Sequence, residues 1–182
     1  MLITKTNPAG VDVPIQKVQE FLHARLLALW NVSSNLYRSY GRCYRNKLDY
    51  GYVAENYEGA NEYKEVYWDD NLAVISFFGV GTTIKHDKIK EYADVHLVFF
   101  LNLQKVKPAI AHRADEEVHR DLLRIVGESL YGLTYTGLDT GIDNVLREYP
   151  GSRRDKRLLA ADMHPVHCFR LNFTLFYNKN IC

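Results

Sequence analysis

The 182-residue chain lacks a net charge of either sign, and this absence excludes the simplest electrostatic partners. Lysine and arginine number 23 against 22 aspartate and glutamate residues, which leaves a formal net charge of +1. Because no overall field draws the protein to nucleic acid or to an anionic membrane, any basic contact surface has to be local.

Cysteines are also few. The three present, Cys43, Cys168 and Cys182, are odd in number, lie far apart and form no CxxC or other metal-binding spacing. This pattern implies no disulfide framework. Reduced thiols are typical of proteins that assemble in a cytoplasm, and we expect them here.

Long hydrophobic runs are missing as well. Residues 1–10 contain no apolar region of the kind found in signal peptides. The longest apolar run, residues 95–101, is far shorter than the roughly 20 residues that a membrane span needs. We therefore expect no membrane contact. One domain over residues 1–182 is expected, since domains usually have roughly 100–200 residues.

No recognised catalytic or ligand-binding motif is present. The seven histidines lack the paired spacing and nearby glutamate of a zinc hydrolase, and no Gly-x-Ser-x-Gly motif occurs. The segment Gly79-Val80-Gly81 lacks the lysine of a phosphate-binding loop, and we interpret it as the break at the end of a strand. The sequence therefore predicts no catalytic residue, no metal ligand and no cofactor.

The clearest pattern that is present is a strict alternation over residues 168–177. It places five large apolar side chains on one face, which predicts a half-buried final strand. The members of that face are Phe169, Leu171, Phe173, Leu175 and Tyr177. A second alternating run, residues 93–106, is longer than the about 3–10 residues of a usual strand. One of its ends is expected to extend beyond the core.

Three helices and three further strands complete the prediction. A first helix ends near Trp30, a second begins at Asp115 with an acidic first turn, and a short one covers residues 140–149. The other strands are predicted over residues 36–44, 62–68 and 72–78, with the last two as a hairpin. The order α-β-β-β-β-α-α-β predicts an α+β fold. Its largely antiparallel sheet of about five strands would carry all the helices on one face.

An extended, tyrosine-rich loop or irregular hairpin is predicted over residues 46–61. Tyrosine mixed with glycine and asparagine is typical of adaptable contact loops, although an ordinary exposed loop remains an alternative. The candidate interface residues are Tyr50, Tyr52, Tyr57 and Tyr63.

Arginines and tyrosines interleave near residue 40, as they do in some platforms for single-stranded nucleic acid. No RNP-like or KH-like motif accompanies them, so a solvated or subunit-facing sheet surface is the alternative. Together with a later basic loop, the candidate basic contact surface comprises Arg38, Arg42, Arg45, Arg153 and Arg154.

Two segments resemble small virion proteins of crAss-like and related phages. They run from Tyr67-Trp68-Asp69-Asp70 to Ser76-Phe77-Phe78-Gly79, and from Asp162-Met163-His164-Pro165 to Leu171-Asn172-Phe173. The order of elements is also similar to that of the tail-terminator and neck-ring proteins of tailed bacteriophages.

The resemblance implies a homo-oligomeric ring, six- or twelve-fold, at the head-to-tail junction around the DNA channel. Its partners would be further copies of itself and adjacent neck or tail proteins, with channel DNA nearby. Such a protein is assembled in the host cytoplasm and resides in the virion. No functional residue is transferred by the resemblance. The alternatives are a cellular protein-interaction module, a nucleic-acid binder and a small enzyme with no recognisable motif.

Overall fold

The computed structural model describes residues 1–86, 90–128, 132–154 and 163–178. Within these ranges the chain forms one sheet of eight strands with helices on both faces. The elements in chain order are β1 (Leu2–Ile3), α1 (Asp12–Trp30), β2 (Tyr37–Leu48), β3 (Gly51–Gly59), β4 (Glu62–Glu65), β5 (Val74–His86), β6 (Lys90–Asn102), α2 (Leu103–Val106), α3 (Asp115–Gly127), β7 (Leu133–Thr140), α4 (Ile142–Val145), a 3-10 helix (Pro150–Arg154) and β8 (Val166–Asn178).

The strands are arranged in the order β4-β3-β2-β5-β6-β8-β7, and β1 pairs with β2 beside this path. The β1–β2 and β2–β5 pairs are parallel, and the other pairs are antiparallel. The sheet is therefore mixed, and β4 and β7 lie at its two ends.

The predicted α+β fold with about five strands is wrong, because the described residues contain eight strands in a mixed sheet. β1, β3 and β7 were not foreseen. The predicted hairpin of residues 62–68 and 72–78 does not form, since β4 pairs with β3 while β5 pairs with β2 and β6. Short connections favour pairing between consecutive strands, but here the hydrophobic faces of β5 set its partners.

The larger core lies on the face that α1 and α3 cover. The predicted helix at the acidic turn is confirmed, because α3 begins at Asp115, and α1 ends at Trp30 as expected. The indole of Trp30 donates a hydrogen bond to Asp121 of α3 at 2.9 Å, which joins the two helices. The final strand is also confirmed, and its five alternating apolar side chains all belong to this core.

The second core lies on the opposite face, where α4 and the residues after it pack on β5 and β6. The expectation that all helices share one face is therefore wrong for α4. Val145, Leu146 and Tyr149 bury their side chains against this face, together with Trp68 and Phe77. β5 and β6 carry apolar side chains on both of their faces, so other elements have to pack on each face of the sheet.

Of the two predictions for residues 46–61, an extended loop or an irregular hairpin, the structure has the hairpin. The end of β2 and residues 51–56 of β3 pair antiparallel, from Cys43 with Asn56 to Leu48 with Gly51. Tyrosine and valine favour a pleated, half-buried surface, which outweighs the turn-forming residues among them.

The strand predicted over residues 93–106 ends at Asn102, where α2 begins. The side chain of Asn102 accepts a hydrogen bond from the backbone N–H of Lys105 at 3.1 Å and caps this helical turn. Among the described helices, none is long and apolar enough to cross a membrane.

Candidate functional site

A polar groove lies on the sheet face opposite α1, beside the segment that follows α4. Its volume is about 690 Å³, within the range of roughly 300–1,000 Å³ that small-ligand pockets occupy. We call it the Glu148 groove. Its lining includes Arg45, Gly81, Asp94, His96, Arg147, Glu148, Tyr149, Arg170 and Asn172.

Gly79 leaves space for the two side chains at the inner end of the groove, His96 and Tyr149. A Cβ atom on Gly79 would lie 2.1 Å from Nε2 of His96 and 2.2 Å from the hydroxyl oxygen of Tyr149. Only a residue without a side chain therefore leaves room for the His96–Tyr149 pair. The interpretation of residues 79–81 as a strand break is wrong, because β5 runs through them and carries its irregularity between Val80 and Ile84.

His96 and Tyr149 form a buried hydrogen bond. His96 Nε2 and the Tyr149 hydroxyl are 3.1 Å apart, and both side chains are almost fully enclosed. Burial, followed by the nearby Arg170 cation, lowers the pKa of His96 to about 4. Burial also raises the pKa of Tyr149. Both groups are therefore uncharged at pH 7.

Arg170 is a charged side chain inside the fold. It is 3% exposed, and its guanidinium makes ion pairs with Asp139 of β7, at 3.2 Å, and with Glu148. Its Nε also donates to Asn172 at 2.8 Å, and Asn172 in turn donates to Asp139 at 2.9 Å. Because a buried charge is costly unless it is paired, these contacts hold the network in one arrangement.

Glu148 is the centre of this network, since three arginines donate to it. Arg170 and Arg147 bind its carboxylate, and Arg45 donates from Nε to its backbone carbonyl at 2.8 Å. Burial alone raises the pKa of Glu148, but the hydrogen bond from Arg170 and the other cationic neighbours outweigh that effect and keep the pKa below its usual value. Arg147 also pairs with Asp139 at 3.1 Å.

The predicted interface tyrosines are placed on β3, β4 and the turn before β3. Tyr50 and Tyr63 are 38% and 44% exposed, whereas Tyr52 and Tyr57 are half-buried. Tyr57 and Tyr63 have ring centroids 5.2 Å apart, and the Tyr63 ring is edge-on to Tyr44. Tyr52 lies under the Arg45 guanidinium at 3.5 Å. The four tyrosines thus sit near one end of the sheet, and their role as an interface stays a prediction.

The three predicted arginines of β2 do not share one surface. The pairing of β2 with β5 is irregular between Ser39 and Arg42, so the simple alternation fails there. Arg42 lies on the α1 side and pairs with the buried Asp12 at 3.2 Å. Arg38 is half-buried, and Arg45 faces the Glu148 groove on the other side.

Of the two later arginines, the structure describes the side-chain contacts of Arg153. Arg153 donates to the carboxylate and the backbone carbonyl of Asp143, at 3.0 and 2.8 Å, and so stabilises the end of α4. The side chain of Arg154 lies outside the described residues.

The histidines and cysteines offer no larger cluster in the described ranges. His119 and His167 bring their Nε2 atoms within 2.9 Å, yet no group of three or more potential metal ligands occurs among the described residues. Cys43 and Cys168 are both buried, and burial raises the pKa of the Cys43 thiol. Cys182 lies outside the described residues.

Sequence reasoning missed the Glu148 groove. Its main side chains come from three distant segments, near residues 96, 148 and 170. One signal was available, since Arg170 interrupts a strongly apolar strand and implies a buried partner.

Comparison with known proteins identifies no family for this chain. No protein-family model matches it, and no curated protein matches it either.

Acidification is expected to destabilise the protein partly through His96. The folded-state pKa is about 4, below the ordinary 6.5, so the unfolded chain binds the proton first as the pH falls. The contribution of neutral His96 to the free energy of unfolding is complete above about pH 6.5 and is lost as the pH falls towards 4. It amounts to roughly 3 kcal/mol. Urea unfolding across this range measures it. His96→Gln should flatten the acid limb, and an unchanged limb would contradict the assignment.

Proposed function

We propose that the protein is a virion structural protein that forms a homo-oligomeric ring at the head-to-tail junction of a tailed bacteriophage, around the DNA channel. The resemblance to tail-terminator and neck-ring proteins supports the location. The observation that carries ring formation is that the sheet has two open edges at opposite ends, β4 and β7, within the described residues.

The β7 edge has the features of a contact strand. It is eight residues long, and all of its residues are half-buried or exposed. Along its free side it carries no lysine, arginine or proline, the residues that commonly protect an exposed edge from pairing. Tyr135, 44% exposed, stands in the middle of this strand.

The β4 edge supplies a different surface at the other end. β4 pairs only with β3 among the described strands, and three of its four residues are exposed. Unlike β7 it carries a lysine, Lys64, which pairs with Glu58 of β3. Tyr63 lies on it, next to Tyr57, and Tyr50 is close by through its hydrogen bond to Glu65 at 2.9 Å. Tyrosine is enriched at protein interfaces.

Because the β4 and β7 edges differ from each other, copies of the protein would associate head to tail. The β7 edge of one copy would meet the β4 edge of the next, and such heterologous contacts close into a ring when the rotation between copies permits it. In this account the protein performs no chemical step and needs no cofactor. Its partners are further copies of itself and the adjacent neck or tail proteins.

Introducing a lysine on either edge is expected to prevent ring formation. Tyr63→Lys removes the exposed tyrosine of β4, and Tyr135→Lys places a lysine on β7. Each should leave folded monomers, because every contact in the ring uses both edges. Native mass spectrometry measures the oligomeric state, and thermal melting checks the fold. Leu29→Lys, at a 38% exposed position of α1, is the matched control and should still form rings.

Mixing the two edge variants gives a sharper result. Each variant keeps the edge that the other has lost, so a one-to-one mixture should form dimers that cannot grow further. A two-fold symmetric interface would not give dimers from the mixture alone. Edge variants that assemble like the wild type would refute the proposal.

A further inference from the structure

The central network of the Glu148 groove contains three arginines and two acidic residues, and Asp94, a third acidic residue, lies elsewhere in the lining. Three guanidinium groups, those of Arg45, Arg147 and Arg170, are gathered around two carboxylates, those of Asp139 and Glu148. We propose that the groove binds an oxyanion, the carboxylate or phosphate group of a ligand, beside Arg147. This inference is independent of ring formation, since the groove is complete within one copy.

The network leaves hydrogen-bond donors free at the mouth of the groove. Arg147, whose side chain is 51% exposed, uses Nε for Glu148 and Nη1 for Asp139. Its Nη2 makes no hydrogen bond within the described residues. Arg45 is exposed and uses Nε alone, so both of its terminal nitrogens are similarly available there. Guanidinium groups match the planar or tetrahedral oxygens of carboxylates and phosphates well.

The ion pairs within the network also hold the Arg147 side chain in place before a ligand binds. Arg147 is held between two carboxylates, so little side-chain freedom is lost when a ligand binds. His96 is uncharged at neutral pH and adds no charge of its own. The groove therefore offers an ordered cationic wall beside the uncharged imidazole of His96.

Asp94 is an acidic residue in the same groove as the proposed oxyanion site. It accepts a hydrogen bond from Thr174 at 3.4 Å and lies on the floor, four residues along β6 from Val98, the register partner of Arg170. Four residues of a strand span about 13 Å. The backbone of Asp94 therefore lies about 13 Å along the sheet from that of Arg170, and its carboxylate opposes an anion in the groove.

Titration with inorganic phosphate at constant ionic strength, followed by NMR, tests the site. We expect saturable shifts of the backbone amides near His96, Glu148 and Arg170. Arg147→Gln should weaken phosphate binding about tenfold, because it removes one charge-assisted contact. Asp94→Asn should strengthen it. Both effects follow the sign of the charge removed, so a variant with the same charge change far from the groove decides whether the site is local.

Arg25→Gln is the matched control. Arg25 is 54% exposed and pairs with Glu128 at 2.6 Å on the α1 side of the sheet, so the variant loses the same charge far from the groove. Phosphate binding should be unchanged in this variant.

Two further titrations identify the source of the anion. Acetate or phosphate binding without DNA binding would assign the site to a small ligand. A short DNA duplex that competes with phosphate, and that loses affinity in Arg147→Gln, would assign it to the nucleic-acid backbone. The proposal is overturned if no probe binds saturably, or if Arg25→Gln weakens binding as much as Arg147→Gln.

Discussion

Deleting residues 172–182 is expected to give a chain that does not fold. β8 lies inside the sheet, between β6 and β7, and its register with β6 extends over thirteen residue pairs. The deletion removes Phe173, Leu175 and Tyr177 from the larger core. Burial of each such side chain contributes roughly 1.5–3 kcal/mol, and the total stability of a domain is typically about 5–15 kcal/mol.

Circular dichroism during heating measures the result, and a shorter deletion supplies the control. The truncated chain should show no cooperative transition. A chain that ends at residue 178 keeps all of β8 and should melt close to the full-length protein. If the longer deletion also melts cooperatively near that temperature, β8 is peripheral and this account of the core is wrong.

Gly79→Ala is expected to be the most damaging single substitution at the groove. The new methyl group would lie 2.1 Å from His96 Nε2 and 2.2 Å from the Tyr149 hydroxyl oxygen, and both side chains are enclosed. The hydrogen bond between them would have to break or the strands would have to move. Overpacking of this kind costs about 1–3 kcal/mol, and a lost buried hydrogen bond adds to it.

Gly137→Ala is the matched comparison for this substitution. Gly137 also lies in a strand, but a Cβ atom there would have no neighbour within 4 Å. Urea unfolding should show a clear loss of stability for Gly79→Ala and little change for Gly137→Ala. Equal effects from the two substitutions would mean that the His96–Tyr149 pair does not need the space at Gly79.

The elements that could be predicted from the sequence are those that bury one face. Their apolar residues recur along the sequence with a regular spacing. β8 alternates without interruption, and α3 combines an acidic first turn with an apolar stripe. For the same reason the end of α1 at Trp30 was predicted correctly.

The missed elements have no such signal. β7 is an edge strand with no buried face, and β3 has four successive buried residues in place of alternation. The pairing of β2 is irregular after Ser39. Because of this, Arg42 and Arg45 lie on the faces opposite to those that strict alternation along the strand predicts. The short helix predicted over residues 140–149 exists only as the four-residue α4, and its place on the opposite face of the sheet was not predicted.

The groove was beyond prediction for a further reason. Its chemistry depends on Arg170, Glu148 and His96 meeting across three segments, and their distances in sequence carry no information on contact. The predicted arginine surface failed in the opposite way, since neighbours in sequence were separated by the fold.

The most direct test of the central claim is native mass spectrometry of the wild-type chain over a range of concentrations, with negative-stain imaging of the same samples. The account predicts one closed assembly of fixed stoichiometry whose class averages show a central opening. A chain that stays monomeric at every concentration, or that forms open fibres of varied length, would contradict it.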